Sequence, residues 1–286
     1  MDISVVIPVA RKNLKVLSLN LEYIEKYICP RKIYILTSQK NFCELLQIQN
    51  NNIVLIDEDT LYPNLTYSTI KSLLKRYNIG DEHTGWYFQQ FLKMAWSRSE
   101  YIENDYFMTW DADTFPLREI QFFSQNKPLI ARKTEHNEAY FQTIKTILNI
   151  DKIVQHSFIS EKMIFSKKIL DEMLSEIENT GIEGTAFFEK IIYAVSLSDN
   201  PSKGFSEFET YGTYLTHYYP DSFSYMDLLS IRNGAKYTGT YPSKYVLKYF
   251  SRKYDIASFE NWTKQRKFFI FCFKLYCFIL SGLKII

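Results

Sequence analysis

The sequence predicts an α/β fold in which a mostly parallel sheet is flanked by helices. Short apolar runs at residues 3–8, 33–37 and 53–56 alternate with helical patterns over 13–28 and near 42–48. This β-α-β-α-β order is typical of parallel sheets, because parallel strands need a crossover that a helix usually supplies. The chain of 286 residues is 46% hydrophobic and 17% aromatic, which is enough apolar material for one principal core.

The first predicted strand is rich in β-branched residues and ends at a proline, so a loop is expected at its carboxyl end. Ligands of open parallel sheets bind at the carboxyl ends of the strands. The sequence therefore predicts a nucleotide pocket at that edge. Its predicted lining is Pro8, Val9, Arg11, Thr37 and Asp57.

A helical pattern over residues 84–99 precedes the next predicted strand, 106–110. Gln90 comes about one turn before Lys93, so the two side chains can face the same groove. We expect Trp86, Gln90 and Lys93 to contribute to the nucleotide pocket, with Lys93 offering positive charge to a diphosphate. A packed or exposed helix surface explains these residues equally well.

Asp111 and Asp113 follow the 106–110 strand with Ala112 between them. Two carboxylates in this spacing beyond a strand end can converge on a hard divalent cation, which completes its coordination with diphosphate and water oxygens. We expect Mn²⁺ or Mg²⁺ there, with Asp111 and Ala112 also contacting the nucleotide. The simpler interpretation is two aspartates that cap a turn.

The run Asp111-Ala112-Asp113-Thr114 is also similar to the D-x-D-x-T first motif of phosphohydrolases of the haloacid-dehalogenase type, although Thr114 comes one position earlier than in that motif. In such an enzyme Asp111 would be the nucleophile and Asp113 the general acid. Those enzymes usually carry the motif near the N-terminus and need a later acid pair. Asp199 lacks the second acid, which weighs against this alternative.

Helices are predicted over 138–148, 167–178 and 185–194, and loops with short strands over 198–239. The latter region is expected to form an acceptor-side wall. It contains Glu207 and Glu209, which share a face if the segment is extended. Either can supply the base that takes a proton from an acceptor hydroxyl; we favour Glu207, with Glu209 binding acceptor. Two solvated glutamates are the alternative.

Three further residues are candidates for binding. His156 and Arg232 are predicted to bind the acceptor, because they offer donors to sugar hydroxyls or to phosphate. His217 is a candidate second metal or phosphate contact, although a lone histidine among aromatic residues is more often structural.

Composition limits the partners and the compartment. The formal charge is only +2, which gives no basic face for nucleic acid. The four cysteines are scattered, and the N-terminus lacks the pattern of an export signal, so a reducing, cytoplasmic location is expected.

The C-terminal residues 246–286 are expected to form a helical tail. Its apolar stretch is interrupted at Lys274, so an interfacial helix on an anionic membrane is favoured over a span. Lys264, Arg266 and Lys267 would face the lipid. The alternative is a helix buried against the domain or in a homo-oligomer.

Four segments, 84–93, 110–115, 157–165 and 205–212, together resemble a family of bacterial glycosyltransferases (DUF6492-like) of polysaccharide and lipopolysaccharide synthesis. The likeness spans roughly residues 3–239. It implies a GT-A fold over residues 1–245, with a nucleotide-binding half (1–115) and an acceptor-side half (116–245). It also implies a nucleotide-sugar donor and an oligosaccharide or lipid-linked acceptor. Inverting and retaining chemistry, and a glycan-binding protein with a degenerate donor site, remain open.

Overall fold

The computed structural model describes residues 3–48, 51–260, 267–283 and 285. Its strands are β1 (Ser4–Pro8), β2 (Ile33–Thr37), β3 (Ile53–Asp57), β4 (Tyr106–Trp110), β5 (Thr114–Pro116), β6 (Phe123–Ser124), β7 (Lys127–Ala131), β8 (Lys162–Ser166), β9 (Ser224–Met226), β10 (Ser230–Ile231) and β11 (Ile256–Ser258). Its α-helices are α1 (Leu14–Tyr27), α2 (Phe42–Leu45), α3 (Tyr67–Arg76), α4 (Thr84–Ala95), α5 (Glu138–Leu148), α6 (Lys167–Glu178), α7 (Phe187–Ser196), α8 (Glu207–Tyr218), α9 (Ala235–Thr238), α10 (Lys244–Phe250) and α11 (Lys267–Gly282).

A five-stranded sheet in the order β3-β2-β1-β4-β8 forms the centre of the fold. The first four strands are parallel, and β8 joins antiparallel to β4, with Trp110 opposite Lys162. The predicted α/β class is confirmed. Because the four parallel strands all run the same way, the loops after β1, β2, β3 and β4 meet at one edge of the sheet.

Helices cover both faces of this sheet. Val5 and Val6 alternate between the faces, as neighbouring residues of a strand must. Val5 lies in the cluster that contains Leu17 and Leu21 of α1, whereas Val6 lies in the cluster that contains Phe91 of α4. A strand buried on both faces explains the unbroken apolar runs in the sequence.

Two small sheets extend the fold beyond β4. In one, β11 pairs antiparallel with β5 and parallel with β10; in the other, β7 lies between β6 and β9. The predicted domain boundary at residue 245 falls inside α10, and β11 beyond it is part of the sheet that contains β5. We therefore propose that the main fold extends to about residue 260, with α11 as the appended helix.

The 198–239 region contains a buried helix, α8, where loops and short strands were expected. Ser206 caps it by accepting a hydrogen bond from the Glu209 amide at 3.3 Å. Ser206 followed by Glu209 three residues later is a recognised helix-start pattern, so the sequence did carry a signal. Gly212 lets this helix lie directly on the Phe158 ring, because a Cβ there would be 2.1 Å from Cγ of Phe158.

The C-terminal helix α11 packs on α9 and α10. No helix among the described residues combines the length and the hydropathy needed to cross a bilayer. The predicted lipid contacts Lys264 and Arg266 lie outside the described residues.

Candidate metal and nucleotide site

The turn after β4 carries both aspartates of the D-x-D motif. The Thr114 amide donates to the Asp111 carbonyl at 3.0 Å, which closes a four-residue turn. Asn20, fully buried in α1, donates from Nδ2 to the carbonyls of Ala112 (3.2 Å) and Thr114 (2.7 Å). A helix from the first third of the chain therefore fixes the backbone between the two carboxylates.

Two other elements hold the same turn. The Asp111 amide donates to the Glu161 carbonyl at 3.1 Å, and the Phe259 amide donates to the Asp113 carbonyl at 2.9 Å. The hydroxyls of Thr114 and Ser258 lie 2.7 Å apart. With its backbone held from α1, β8 and β11, the turn presents its carboxylates in a preorganised geometry.

A buried lysine lies behind the turn. Nζ of Lys93 donates to Oδ1 of Asp111 at 2.9 Å and to Oε1 of Glu207 at 2.8 Å, and the side chain is only 4% exposed. Burial alone would lower the pKa of Lys93, but the carboxylates of Asp111 and Glu207 outweigh it and raise the pKa above its ordinary value. The lysine is therefore a fixed cation that joins α4, the turn and α8.

The negative charge of Asp113 is less well compensated by nearby cations than that of Asp111. Burial, and then the negative charge of Asp111, raise its pKa to about 7. Lys93 and Lys12 partly oppose this shift in the pKa of Asp113. Glu260, which follows β11, shows the same behaviour: burial and then Asp113 raise its pKa to about 7. Sequence reasoning missed Glu260, because only the pairing of β11 with β5 brings it to the turn.

Mutual repulsion among carboxylates is the electrostatic environment that a bound cation relieves. Asp111, Asp113 and Glu260 offer the hard oxygen ligands that Mg²⁺ and Mn²⁺ prefer. Among the described residues, no group of three His, Cys, Asp or Glu side chains is placed to hold a metal ion. Asp111 and Asp113 therefore remain candidate ligands for an ion that would take its other ligands from diphosphate and water.

The predicted nucleotide residues of β1 and β2 lie at the expected edge, but their polar groups are engaged. The Val9 amide donates to the Leu36 carbonyl at 2.8 Å, and the Thr37 hydroxyl donates to the Val9 carbonyl at 2.7 Å. Pro8, Val9 and Thr37 are all buried. Their role in this structure is to join two strand ends, and Thr37 in particular is a structural contact rather than a free ligand donor.

The other two predicted residues of this edge are more open. Arg11 is exposed and pairs with Glu44 at 3.0 Å. Asp57 is half-buried, and its carboxylate accepts a hydrogen bond from the Asp59 amide. Neighbouring Glu58 was missed; burial, then Asp59 and Asp57, raise its pKa to about 7.

Gln90 positions Glu207. Its side-chain oxygen accepts from the Glu207 amide at 3.1 Å, and Nε2 donates to the Trp86 carbonyl at 3.2 Å. Trp86 itself is half-buried, with its ring 4.8 Å from that of Tyr87. Gln90 is only 2% exposed, so it acts by orienting the first turn of α8 rather than by contacting a ligand.

The two glutamates of α8 diverge, because this segment is helical and not extended. Glu207 reaches Lys93, whereas Glu209 is fully buried and accepts hydrogen bonds from Lys152, from the Ser157 hydroxyl and from the Phe158 amide. The prediction that Glu209 is catalytic or binds acceptor is corrected: all its capacity is used in anchoring the 152–158 segment to α8.

His217 lies in the last turn of α8 and is exposed. Ten residues of helix separate it from Glu207, which corresponds to about 15 Å along the axis. Its ring packs edge-on against Tyr218. The structure does not bring His217 to the aspartate turn, so its assignment as a metal ligand is corrected.

The predicted acceptor residues lie beside a second group of charges. Arg232 pairs with Glu135, and its Nε lies 3.7 Å from Oε1 of Glu161. Glu161 is 2% exposed, and its Oε1 has no hydrogen-bond partner in the described part of the chain. Sequence reasoning did not single out Glu161, whose backbone carbonyl holds the Asp111 amide and whose carboxylate faces Lys133 and Arg232.

His156 occupies an aromatic corner of this side. Its ring lies 5.2 Å from that of Phe158 and 4.6 Å from that of Tyr225. Burial, then Lys152 and Arg132, lower the pKa of His156 below its ordinary value. The exposed Tyr225 ring can pack on a sugar, whereas Nε2 of His156 is buried and has no hydrogen-bond partner among the described residues.

The molecule is an α/β protein with a mostly parallel central sheet and a D-x-D turn that is fixed at the carboxyl edge of that sheet. The chain belongs to DUF6492, a family of unknown function whose model matches residues 1–269. A search of curated protein sequences finds no significant match.

Three solved structures are similar to the chain. Apo mouse xyloside xylosyltransferase 1 is 10% identical, with coverage of 90% of this chain and 97% of the other and a TM-score of 0.44. The galactosyltransferase LgtC in complex with donor and acceptor sugar analogs is 10% identical, with coverage of 97% and 96% and a TM-score of 0.46. The 4-diphosphocytidyl-2C-methyl-D-erythritol synthase of Anaerococcus prevotii is 12% identical, with coverage of 79% and 86% and a TM-score of 0.38.

Proposed function

We propose that this protein is a GT-A type glycosyltransferase that moves a sugar from a nucleotide-sugar donor to a cell-surface glycan or a lipid-linked acceptor. The observation that carries the proposal is the turn of Asp111 and Asp113, fixed at the carboxyl edge of the sheet with buried Lys93 behind it. The proposed setting is synthesis of bacterial lipopolysaccharide or capsular polysaccharide at the cytoplasmic face of the membrane. The resemblance described above suggests this setting.

The donor's diphosphate would share a divalent cation with the turn. Asp113 is the proposed principal ligand, because its carboxylate is not hydrogen-bonded to Lys93, while Asp111 offers its second oxygen. Glu260 is near enough to Asp113 for the two negative charges to repel each other, and we propose that it adds to the negative charge around the ion without being a ligand. When bound, Mn²⁺ or Mg²⁺ would neutralise charge that develops on the leaving nucleoside diphosphate.

Lys93 fixes the proposed donor side of the site relative to the proposed acceptor side. It contacts Asp111 on the donor side and Glu207 on the acceptor side, so the separation of those carboxylates is set by one buried ammonium. Glu207 remains our candidate for the base of an inverting transfer. The anomeric configuration of the product, read by NMR, separates this chemistry from a retaining transfer.

The acceptor would lie against the side formed by His156, Tyr225 and Arg232. Sugar rings pack their C–H faces on aromatic surfaces, and Tyr225 is exposed beside the neutral His156. Arg132 lies over the same Tyr225 ring, with its guanidinium carbon 5.5 Å from the centroid. This combination suits an acceptor that carries an anionic group, such as a phosphate or a uronic acid.

A thermal-shift panel tests the proposal. UDP-, GDP-, CMP- and dTDP-sugars are added with and without Mn²⁺, since a ligand that binds the folded state raises the melting temperature. We expect one nucleotide class to stabilise the protein only with the metal. Asp113→Asn should abolish the shift, whereas Asp221→Asn, a matched change at an exposed aspartate beyond α8, should keep it.

Two outcomes would contradict the proposal. One is the absence of a metal-dependent shift with every nucleotide sugar, which would favour a glycan-binding protein with a degenerate site. The other is metal-dependent release of phosphate from simple aryl phosphates, which would favour the phosphohydrolase alternative.

A further inference from the structure

The helix α11 is largely apolar, but only one of its sides is buried. Its inner stripe packs on α9 and α10: Cys277 is fully buried, and the Phe273 ring lies 5.5 Å from that of Tyr249 and 6.1 Å from that of Tyr237. Lys274 on the same side donates to the Tyr241 carbonyl at 3.2 Å. The helix is therefore docked on the protein in a defined orientation.

The opposite face of α11 projects large apolar side chains away from the protein. Phe268 is 81% exposed, Phe271 65% and Leu275 47%, at positions that share one helix face. Further apolar side chains continue this outer face; they are Phe278, Ile279 and Leu283. An apolar helix face of this size is a marked departure from the usual polar surface of a folded protein and indicates an interaction surface.

The C-terminal part of the sequence is strongly basic. Residues 235–286 contain ten Lys and Arg but two Asp and Glu, a net charge of +8 in a chain whose total is +2. The remaining residues therefore carry −6. An apolar face embedded in the basic end of an otherwise acidic protein is complementary to a surface that is both apolar and anionic.

A cavity of about 370 Å³ lies where α11 meets α10. Its apolar walls include Phe250 and Phe273, and its basic side chains are Arg252 and Lys253. An apolar cavity with two cations suits a phosphate headgroup attached to an acyl or prenyl chain.

We propose that the outer face of α11 lies in the interface of a bilayer that contains anionic phospholipid, without crossing it. The apolar side chains enter the acyl boundary, and the basic side chains beside them, among them Arg252 and Lys253 of the cavity, contact the headgroups. The proposal does not rest on the reaction proposed above, because no catalytic residue takes part in it.

Vesicle flotation with the full chain tests this inference. Vesicles of phosphatidylcholine alone are compared with vesicles that contain about one third phosphatidylglycerol. We expect the bound fraction to be at least about tenfold larger with the anionic lipid. The triple variant Phe268→Ser, Phe271→Ser, Leu275→Ser should lower binding by about tenfold or more, because it removes the inserted apolar surface.

The matched control is Leu46→Ser, Ile153→Ser, Leu197→Ser, which removes three side chains that are 55%, 59% and 61% exposed elsewhere on the protein. It should bind like the wild type. Arg252→Glu with Lys253→Glu should reduce the preference for anionic vesicles.

Three results would overturn the inference: equal binding to both vesicle types, no effect of the α11 triple variant, or a lipid-free dimer that this variant dissociates. The last result would identify a second copy of the chain as the occupant of this face. None of these measurements depends on transferase activity, so they do not bear on the proposed reaction.

Discussion

The buried ammonium of Lys93 donates a 2.8 Å hydrogen bond to Glu207, a residue 114 positions later in the chain. The same ammonium holds Asp111 at 2.9 Å. A lysine this buried can remain charged because two carboxylates compensate for its lost hydration. The ion pair of Lys93 and Glu207 therefore links the stability of the fold to the geometry of the candidate site.

Replacing Lys93 by methionine should destabilise the protein strongly. The change leaves the buried Glu207 carboxylate without its counter-charge, and breaking one side of a buried pair typically costs about 3–5 kcal/mol. Urea unfolding measures the loss. The double variant Lys93→Met, Glu207→Gln should recover part of it, because the unpaired charge is removed as well. Strictly additive losses in the double-mutant cycle would show that the two residues are not coupled.

Gly212→Ala should be among the most damaging small substitutions in the chain. Its Cβ would lie 2.1 Å from Cγ of the buried Phe158, so either the ring or α8 must move, at a cost of about 3 kcal/mol or more. Gly85→Ala is the matched control in α4, because no atom lies within 4 Å of its Cβ position. That variant should stabilise the protein slightly, by about 0.5–1 kcal/mol. Equal melting temperatures for the two variants would refute this packing.

Because of Lys162, we expect the free energy of unfolding to rise with pH in the alkaline range. Burial, and then Lys133, lower its pKa to about 7 from the ordinary value of 10.5. Between these values the unfolded chain binds more protons than the folded protein, so stability increases with pH, by about 1 kcal/mol per pH unit. The difference between wild type and Lys162→Met, measured by denaturant unfolding from pH 7 to 10, isolates this contribution. Parallel pH curves for the two proteins would contradict it.

Because of the carboxyl groups of Asp113 and Glu260, we expect the free energy of unfolding to fall as the pH rises at lower pH. With pKa values of about 7 for Asp113 and Glu260, the metal-free folded protein binds more protons than the unfolded chain between about pH 4 and 7. Their contribution to stability therefore falls as pH rises through this window. Because a metal binds the ionised carboxylates, stabilisation by Mn²⁺ should grow from pH 5.5 to about 7.5. A Mn²⁺ thermal shift of equal size at both pH values, or one retained in Asp113→Asn, would contradict this.

The sheet and its edge followed from the sequence because their signals are local. Apolar runs mark β1 to β4, and Asp111 and Asp113 follow directly after one of them, so the position of the candidate metal site could be predicted. The helix α3 was not anticipated, although Thr66 caps it through the Thr69 amide. Its apolar pattern is short, and such helices depend on tertiary packing.

The long-range partners of the site could not be predicted in the same way. Asn20, Glu161 and Glu260 reach the turn only through the pairing of α1, β8 and β11 with it, and nothing near them in sequence marks that role. In an extended segment Glu207 and Glu209 share a face, and for this reason the sequence predicts that both lie in the site. In the helix the two side chains contact different neighbours. This difference between helical and extended periodicity alone excludes Glu209 from the candidate catalytic residues.

Anomalous diffraction from crystals soaked with Mn²⁺ and a nucleoside diphosphate tests the central claim most directly. The account predicts a manganese peak bound by Asp113 and Asp111, bridged to the diphosphate oxygens, and lost in Asp113→Asn. Diphosphate bound without such a peak, or manganese bound only elsewhere on the protein, would contradict it.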